Sequence, residues 1–223
     1  ELFDHIQKYL TVYSGITTHK CTKVERNTDI YEDAIKSKES YYYWLRKKFN
    51  QIRNEEDRSI EVSALFIFIN KICFRGMFRE GPNGFNIPFG HYKKTPSVIT
   101  KENLDTISEL IKDVEFVNAG FVESIQNPTE GDFVYLDPPY APENSKSFVG
   151  YVADGFSQAN HTDLFEKIKN LGENGINFMM SNVKVDMVTN CFTDYEILEI
   201  VARRAINSKN PGATTTEVLI FNC

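Results

Sequence analysis

The stretch that decides the fold is an apolar run followed by two prolines and an aromatic residue, Phe133-Val134-Tyr135-Leu136-Asp137-Pro138-Pro139-Tyr140. A short run of apolar and aromatic residues of this kind predicts a buried strand. Proline lacks the amide hydrogen that a central strand needs, so the backbone is predicted to leave the sheet at Pro138. The break places the Asp137 carboxylate and the Tyr140 ring at the carboxyl end of a strand, where open α/β sheets bind ligands.

Asp137 and Tyr140 together suit the binding of a flat ring that carries an amino group. The Asp137 carboxylate and a nearby backbone carbonyl, that of Pro138, can accept both hydrogen bonds of an exocyclic amine, while Tyr140 stacks on the ring. This arrangement resembles the catalytic motif of S-adenosylmethionine-dependent amino methyltransferases. Asp-Pro-Pro also occurs in ordinary turns that end strands, so the motif alone leaves both interpretations open.

A second block, rich in glycine, proline and basic residues, lies upstream. It consists of Arg75-Gly76-Met77-Phe78-Arg79 and the segment Gly81-Pro82-Asn83-Gly84-Phe85-Asn86-Ile87-Pro88-Phe89-Gly90-His91-Tyr92-Lys93-Lys94. With the downstream Asp-Pro-Pro-Tyr, it resembles the Dam-type (D12 class) adenine-N6 DNA methyltransferases, over about Leu2 to Cys223. The resemblance implies methyl transfer from the cofactor S-adenosyl-L-methionine to the N6 amine of a flipped-out adenine in double-stranded DNA. It also implies that this block ends a helical subdomain and carries a hairpin that contacts DNA.

The resemblance also implies the residues of the active site. The catalytic residues would be Asp137, Pro138, Pro139 and Tyr140, and the cofactor contacts would be Asp137, Gly120 and Phe121. Tyr140, Phe148, Tyr151, Ser181 and Asn182 would line the pocket for the base. Several of these residues have structural alternatives, since Phe121, Phe148 and Tyr151 could belong to the core, and Ser181-Asn182 could cap a helix beginning near Val183.

The block from Lys71 to Lys94 contains five basic side chains and one acidic one, in a chain of net charge −6. The overall charge argues against general coating of nucleic acid. The local excess of positive charge is compatible with a phosphate-facing patch, although composition alone favours a solvated loop that carries charge for solubility. Arginine can read guanine in the major groove, lysine suits phosphates, and a tyrosine at a hairpin tip can wedge into the base stack. An ion pair with Glu80 or a core carboxylate is the alternative for Arg79. The predicted DNA-binding residues are Arg75, Met77, Arg79, Pro88, His91, Tyr92 and Lys93.

The spacing of apolar residues along the chain predicts an α/β protein. Helical spacing is found over Leu2–Val12, Tyr41–Ile52, Ser59–Phe74, Thr100–Ile111 (with Thr100 as N-cap) and His161–Leu171 (with Asn160 as cap). Strands are predicted at Val114–Val117, Phe133–Leu136, Ile176–Met180, Tyr195–Val201 and Glu217–Phe221. This order predicts a Rossmann-like methyltransferase sheet with an antiparallel terminal strand pair. We expect three segments: a helix and connection at 1–40, a helical target-recognition subdomain with a hairpin at 41–96, and the catalytic α/β domain at 97–223.

The composition, 41% hydrophobic and 25% charged, is that of an ordinary globular domain. The longest apolar run, Val62 to Asn70, is too short to span a bilayer, and residues 1–10 lack the basic region of a signal peptide. The four cysteines show no metal-ligand spacing, so we expect free thiols and no metal site. A monomeric cytoplasmic protein without membrane contact is therefore expected.

One expected element is missing from the sequence. A cofactor-binding fold of this class normally opens with a strand, a Gly-rich turn and a second strand ending in an acid that holds the ribose. Neither Gly15 nor Asp4 and Asp29 fits that pattern. We therefore expect the chain to lack its amino-terminal cofactor-binding segment. Two alternatives stay open: an amino methyltransferase acting on RNA or a protein glutamine, and an inactive DNA-binding fragment. The resemblance is also compatible with a cognate restriction endonuclease as partner.

Overall fold

The computed structural model describes residues 1–18, 24–53, 59–142, 156–203 and 212–223. They form two compact units, Glu1–Val114 and Glu115–Cys223. Phe148 and Tyr151, predicted for the base pocket, lie outside the described residues.

The first unit is mainly helical. Its helices are α1 (Leu2–Gly15), α2 (Tyr31–Ala34), α3 (Lys38–Ile52), α4 (Ile60–Ile72) and α5 (Lys101–Leu110). The predicted helices over this region are confirmed, including the Thr100 cap, whose hydroxyl accepts from the Asn103 amide at 3.1 Å. Helix α4 packs against α1 and α3, and its almost wholly apolar sequence fits this central position.

A small hairpin follows the long helices of the first unit. A 3-10 turn at Phe74–Gly76 leads into the antiparallel strands β1 (Glu80–Gly81) and β2 (Gly84–Phe85). Gly84 has a φ of 89°, which glycine adopts without strain, and this allows the chain to reverse within two residues. Phe85 is buried in the aromatic core of this unit, so one side of the hairpin is anchored there while Pro82 and Asn83 at its tip are exposed.

The second unit is built on a four-stranded mixed sheet. Its strands are β3 (Phe133–Leu136), β4 (Asn177–Val183), β5 (Glu196–Arg203) and β6 (Thr214–Phe221), in the order β3-β4-β6-β5. Strand β3 is parallel to β4, and the remaining pairs are antiparallel. The helices of this unit are α6 (Phe121–Ser124), α7 (Gln158–Glu173) and α8 (Asp186–Thr189). The predicted α/β class and the antiparallel terminal strand pair are therefore confirmed.

Two strand predictions need correction. Val114–Val117 is irregular and exposed, with Phe116 75% accessible, because none of the described strands pairs with this segment. Strand β3 exists, but Phe133 and Tyr135 are 54% and 58% exposed rather than buried. Within the part of the chain that the structure describes, β3 has a neighbour only at β4, and its side chains alternate between a covered and an open face.

One capping prediction was wrong, and one capping alternative is not found. Helix α7 begins three residues earlier than expected, because Ser157 is its N-cap and Asn160 closes a capping box by accepting from the Ser157 amide at 2.9 Å. Ser181 and Asn182 do not cap a helix at Val183, since both lie inside β4 and the next helix, α8, begins at Asp186. Their side chains are therefore available for other contacts.

Candidate active site

The parallel pairing of β3 and β4 brings the predicted catalytic aspartate to Ser181. Leu136 is paired with Met180, so the residues that follow them, Asp137 and Ser181, lie side by side at the carboxyl ends of the strands. The Ser181 hydroxyl donates to Asp137 Oδ1 at 2.6 Å, a short charge-assisted hydrogen bond. Asp137 is exposed, and its Oδ2 has no hydrogen bond within the described residues. One carboxylate oxygen is therefore held while the other is open to a ligand.

Asn182 fixes the far end of the same turn. Its side chain is completely buried, and Oδ1 accepts from the Ala141 amide at 3.0 Å and from the Val183 amide at 2.9 Å. Its Nδ2 has no hydrogen-bond partner among the residues that the structure describes. Since Ser181 holds Asp137 and Asn182 holds Ala141, the two prolines and Tyr140 are fixed from both sides.

Tyr140 is half-buried against the core of the second unit. Its hydroxyl points to the Glu217 carboxylate on β6, with a long contact of 3.5 Å to Oε2. Burial raises the pKa of Tyr140 above its usual value of about 10, and the carboxylates of Glu217 and Asp137 add to the shift, while a hydrogen bond with Ser181 opposes it. The ring therefore stays neutral near neutral pH and is suited to stacking rather than to proton transfer.

The two predicted cofactor contacts lie in one short element. Gly120 is the N-cap of α6, and Phe121 is half-buried with its ring 5.6 Å from that of Phe156. Phe156 in turn contacts the buried His161 at 4.7 Å, and burial lowers the pKa of this imidazole. Phe121 thus joins the apolar cluster of the second unit, and its role at a cofactor stays a prediction.

The predicted DNA-binding residues all lie in the first unit, within or beside the hairpin block. Arg79 is exposed, and its Nε donates to Asn86 Oδ1 at 2.7 Å. Glu80 pairs with Arg53 instead of Arg79. Arg75, in a left-handed conformation with φ of 57°, Pro88 and Lys93 are exposed, and Met77 is half-buried against the helical core.

Tyr92 and His91 make contacts that the sequence did not predict. Tyr92 does not lie at the hairpin tip, which is formed by Pro82 and Asn83; its hydroxyl donates to the carbonyl of Cys73 at 2.7 Å. His91 is about half exposed and lies 3.9 Å from the buried carboxylate of Glu39. The reason for the error is that the hairpin closes at Gly84, eight residues before Tyr92, as the positive φ of that glycine allows.

The residues that hold the hairpin were also not predicted from the sequence, and they lie on α3 and, for Arg53, at its C-cap. Tyr42, Arg46, Asn50 and Arg53 each contact the segment 80–87. Their spacing of three or four residues places them on one face of a helix, which was the available signal. Among the described residues no cluster of histidine, cysteine, aspartate and glutamate could hold a metal ion. None of the described helices is long and apolar enough to cross a membrane.

The mixed sheet and its helices are of the S-adenosylmethionine-dependent methyltransferase class, with Asp-Pro-Pro-Tyr at the end of a parallel strand. Residues 4–206 match the profile of the D12 class N6 adenine-specific DNA methyltransferases. The chain belongs to this family.

Relatives with assigned names support the same family. The chain is 36% identical over 195 residues to the Type II methyltransferase M.MjaIII of Methanocaldococcus jannaschii, covering 85% of this chain and 66% of the relative. It is 29% identical over 187 residues to the Type II methyltransferase M1.LlaDCHI of Lactococcus lactis, covering 82% and 66%. A DNA adenine methylase of Vibrio cholerae is 28% identical over 189 residues, covering 82% and 65%. The chain thus spans slightly less than two-thirds of the length of these relatives.

Proposed function

We propose that the protein transfers a methyl group from S-adenosylmethionine to the N6 amine of adenine at specific sites in duplex DNA. The observation that carries the proposal is the Asp137 carboxylate at the end of β3, held through Oδ1 by Ser181 and open at Oδ2, beside the neutral ring of Tyr140. Membership in the D12 class and the names of the relatives support adenine in DNA as the substrate over RNA or a protein glutamine.

The chemistry follows from the weakness of the adenine amine as a nucleophile, since its lone pair is delocalised into the ring. Asp137 Oδ2 and the Pro138 carbonyl would accept the two amine hydrogens and favour a more pyramidal nitrogen. Formation of the N–CH3 bond would break the S–CH3 bond of the sulfonium and release the cofactor as a neutral thioether. The nitrogen would carry positive charge, which the fixed carboxylate would stabilise without reorganisation, until its surplus proton passed to solvent. Asp137 therefore acts mainly as an oriented acceptor and a negative charge, not as a strong base.

Access to the amine requires the adenine to leave the base stack, at a cost of a few kcal/mol. Stacking on Tyr140 recovers roughly 1–3 kcal/mol of this. The buried Asn182 keeps the turn in place for that contact. We propose Phe148 and Tyr151 as further walls of the base pocket, on the resemblance alone.

The described residues offer contacts for two parts of S-adenosylmethionine, its positively charged sulfur and its adenine ring. This cofactor, when bound, supplies the methyl group on a positively charged sulfur. The open oxygen of Asp137 offers a negative charge, and Phe121, following Gly120, offers an aromatic face that suits an adenine ring. Among the described residues no acid follows a Gly-rich turn and a strand, which is the arrangement that binds the ribose in folds of this class.

For DNA, we propose that the segment 41–96 is the target-recognition subdomain and that 97–223 carries the chemistry, with 1–40 supporting the methyltransferase domain. The exposed guanidinium groups of Arg75 and Arg79 suit guanine edges, and Lys93 suits a phosphate. Met77, Pro88, His91 and Tyr92 complete the proposed surface. Tyr92 would have to break its hydrogen bond to Cys73 before it could enter the base stack.

The proposal is tested with tritiated S-adenosylmethionine, unmethylated duplex DNA and the full-length protein. We expect radioactivity in the DNA, recovered as N6-methyladenine after digestion to nucleosides. Duplex RNA and a glutamine-containing peptide, offered separately, are expected to stay unlabelled. Label in either of these with none in DNA, or the complete absence of label, would overturn the proposal.

Replacing Ser181 by alanine is expected to lower kcat about tenfold, because the hydroxyl holds the carboxylate that receives the amine. A hydrogen bond to a charged group contributes roughly 1.5–3 kcal/mol, and 1.4 kcal/mol corresponds to a factor of about ten in rate. KM for DNA should change little, since Ser181 is a positioning residue. Steady-state kinetics measures both constants.

Ser157→Ala is the matched control for that variant. Ser157 caps α7, so its loss costs about 1 kcal/mol of stability without touching the active site. If S157A lowered kcat as much as S181A, the effect at Ser181 would be one of stability, and the positioning role would be wrong.

A further inference from the structure

The α3 face that sequence reasoning missed holds the hairpin at three successive points. Arg53 pairs with Glu80 on β1. Asn50 binds Phe85 on β2, and the hydroxyl of Tyr42 and Nη1 of Arg46 both donate to the carbonyl of Ile87 at 2.8 Å. The hairpin is therefore fixed along its base by one helix face.

The contact made by Asn50 is the most specific of the three. Its Oδ1 accepts from the Phe85 amide at 2.9 Å, and its Nδ2 donates to the Phe85 carbonyl at 3.0 Å. A side-chain amide that bonds both backbone groups of one residue reproduces the pairing of a neighbouring strand in an antiparallel ladder. Asn50 thus replaces a third strand beside β2. Aspartate lacks the donor, leucine lacks both groups, and glutamine is one methylene longer.

The hairpin is shaped to accept this side chain. Gly84 has a positive φ, and a Cβ atom at this position would lie 2.6 Å from Asn50 Oδ1. The contact therefore requires glycine at position 84, because only a residue without a side chain leaves room for the side-chain amide of Asn50. The tip residues Pro82 and Asn83 border an open cleft of about 500 Å³ beside α3, so the tip is accessible while the base is held.

Hydrogen bonds of the residue after Phe85 link this contact to Arg79, the arginine proposed to read DNA. Asn86 follows Phe85 directly, its amide donates to the Arg79 carbonyl at 3.1 Å, and its Oδ1 accepts from Arg79 Nε at 2.7 Å. The position of β2 therefore sets both the backbone of Arg79 and the direction of its guanidinium. An arginine that reads a base through two hydrogen bonds depends on that direction.

We propose that Asn50 is a positioning residue for DNA sequence recognition, which holds the hairpin so that Arg79 presents its guanidinium in one orientation. The inference rests on the proposed function, because it requires that the hairpin read DNA. Loss of the Asn50 contact lets the hairpin move relative to α3. The protein then accepts, at one position of its recognition sequence, a base pair that the parent protein rejects. Sequence specificity falls more than the rate of methylation does.

The test maps methylated adenines by sequencing in plasmid DNA from a bacterial host that lacks adenine methylation and expresses the full-length protein. For the parent protein and the Asn50→Leu variant, we compute a specificity ratio. It is the methylated fraction at the preferred sequence divided by the methylated fraction at the most methylated sequence that differs from it by one base pair. We expect this ratio to fall roughly tenfold in N50L, since a specified base pair typically contributes a factor of that order or more. The adjacent exposed Gln51 supplies the control, and Q51A should keep the parent ratio.

Gly84→Ala disrupts the same contact from the hairpin side, because the added Cβ would clash with Asn50 Oδ1. This variant replaces N50L in the test if N50L loses thermal stability. We expect G84A to lower the ratio as well, and the double variant to lower it no further than the stronger single one, because both remove one contact. An unchanged ratio in G84A and in folded N50L, with methylation merely slower everywhere, would overturn the role of Asn50. If the parent protein methylates no adenine, the proposed function itself fails, which is a separate outcome.

Discussion

Replacing Asp137 by alanine is expected to lower the rate of methyl transfer on the order of 10²–10³-fold, the loss typical of removing one preorganised charge-stabilising group. Both proposed functions of the carboxylate would disappear together: acceptance of an amine hydrogen and compensation of the positive charge on nitrogen. DNA affinity should change little. A single-turnover assay with saturating DNA and cofactor measures the chemical step, and a parallel binding assay measures DNA affinity.

Asp137→Asn separates the two functions. Asparagine lacks the charge but keeps one acceptor oxygen of the same reach. That oxygen can serve the amine when the NH2 group of asparagine faces Ser181 and donates to its hydroxyl oxygen. We expect a loss about tenfold smaller than for alanine if hydrogen-bond acceptance dominates, and an equal loss if the charge dominates. Asp194→Asn, at an exposed turn of the same unit, is the control and should retain the parent rate. Parent-like transfer by D137A would remove Asp137 from the mechanism.

The elements that could be predicted from the sequence are those with a strong local signal. Helix α4 carries enough apolar residues to be recognised alone, and Thr100 marks the start of α5. Strand β3 was identified because two prolines end it. The residues around Asp137 could be located for the same reason, since the aspartate directly precedes the proline that breaks the strand.

What could not be predicted depends on contacts between distant segments. Val114–Val117 has the composition of a strand, yet a strand forms only with a partner, and sequence pattern does not identify partners. The hydrogen bond from Ser181 to Asp137 joins residues 44 positions apart, and that from Asn50 to Phe85 joins residues 35 apart. Both depend on strand register and helix rotation. The sequence therefore predicted Asp137 as the catalytic aspartate, but not the residues that hold its side chain.

Tyr140→Ala is the second large effect expected, with catalytic efficiency on DNA lowered roughly 10–100-fold. Stacking of a base on an aromatic side chain contributes roughly 1–3 kcal/mol, and without it the extruded adenine loses its main compensation for leaving the duplex. Much of the loss should vanish for an adenine opposite an abasic site, because extrusion then costs less. Measuring kcat/KM on both DNA substrates tests this directly.

Tyr140→Phe distinguishes stacking from chemistry at the hydroxyl. The ring is retained and only the hydroxyl's contacts with Glu217 and Ser181 are lost, so we expect less than about a threefold change. Burial raises the pKa of Tyr140, so its hydroxyl stays protonated at every pH below its ordinary value near 10. The rate profiles of the parent and Y140F should therefore coincide between about pH 6 and pH 9. If Y140F were as impaired as Y140A, the hydroxyl would take part in the reaction and the stacking role would be insufficient.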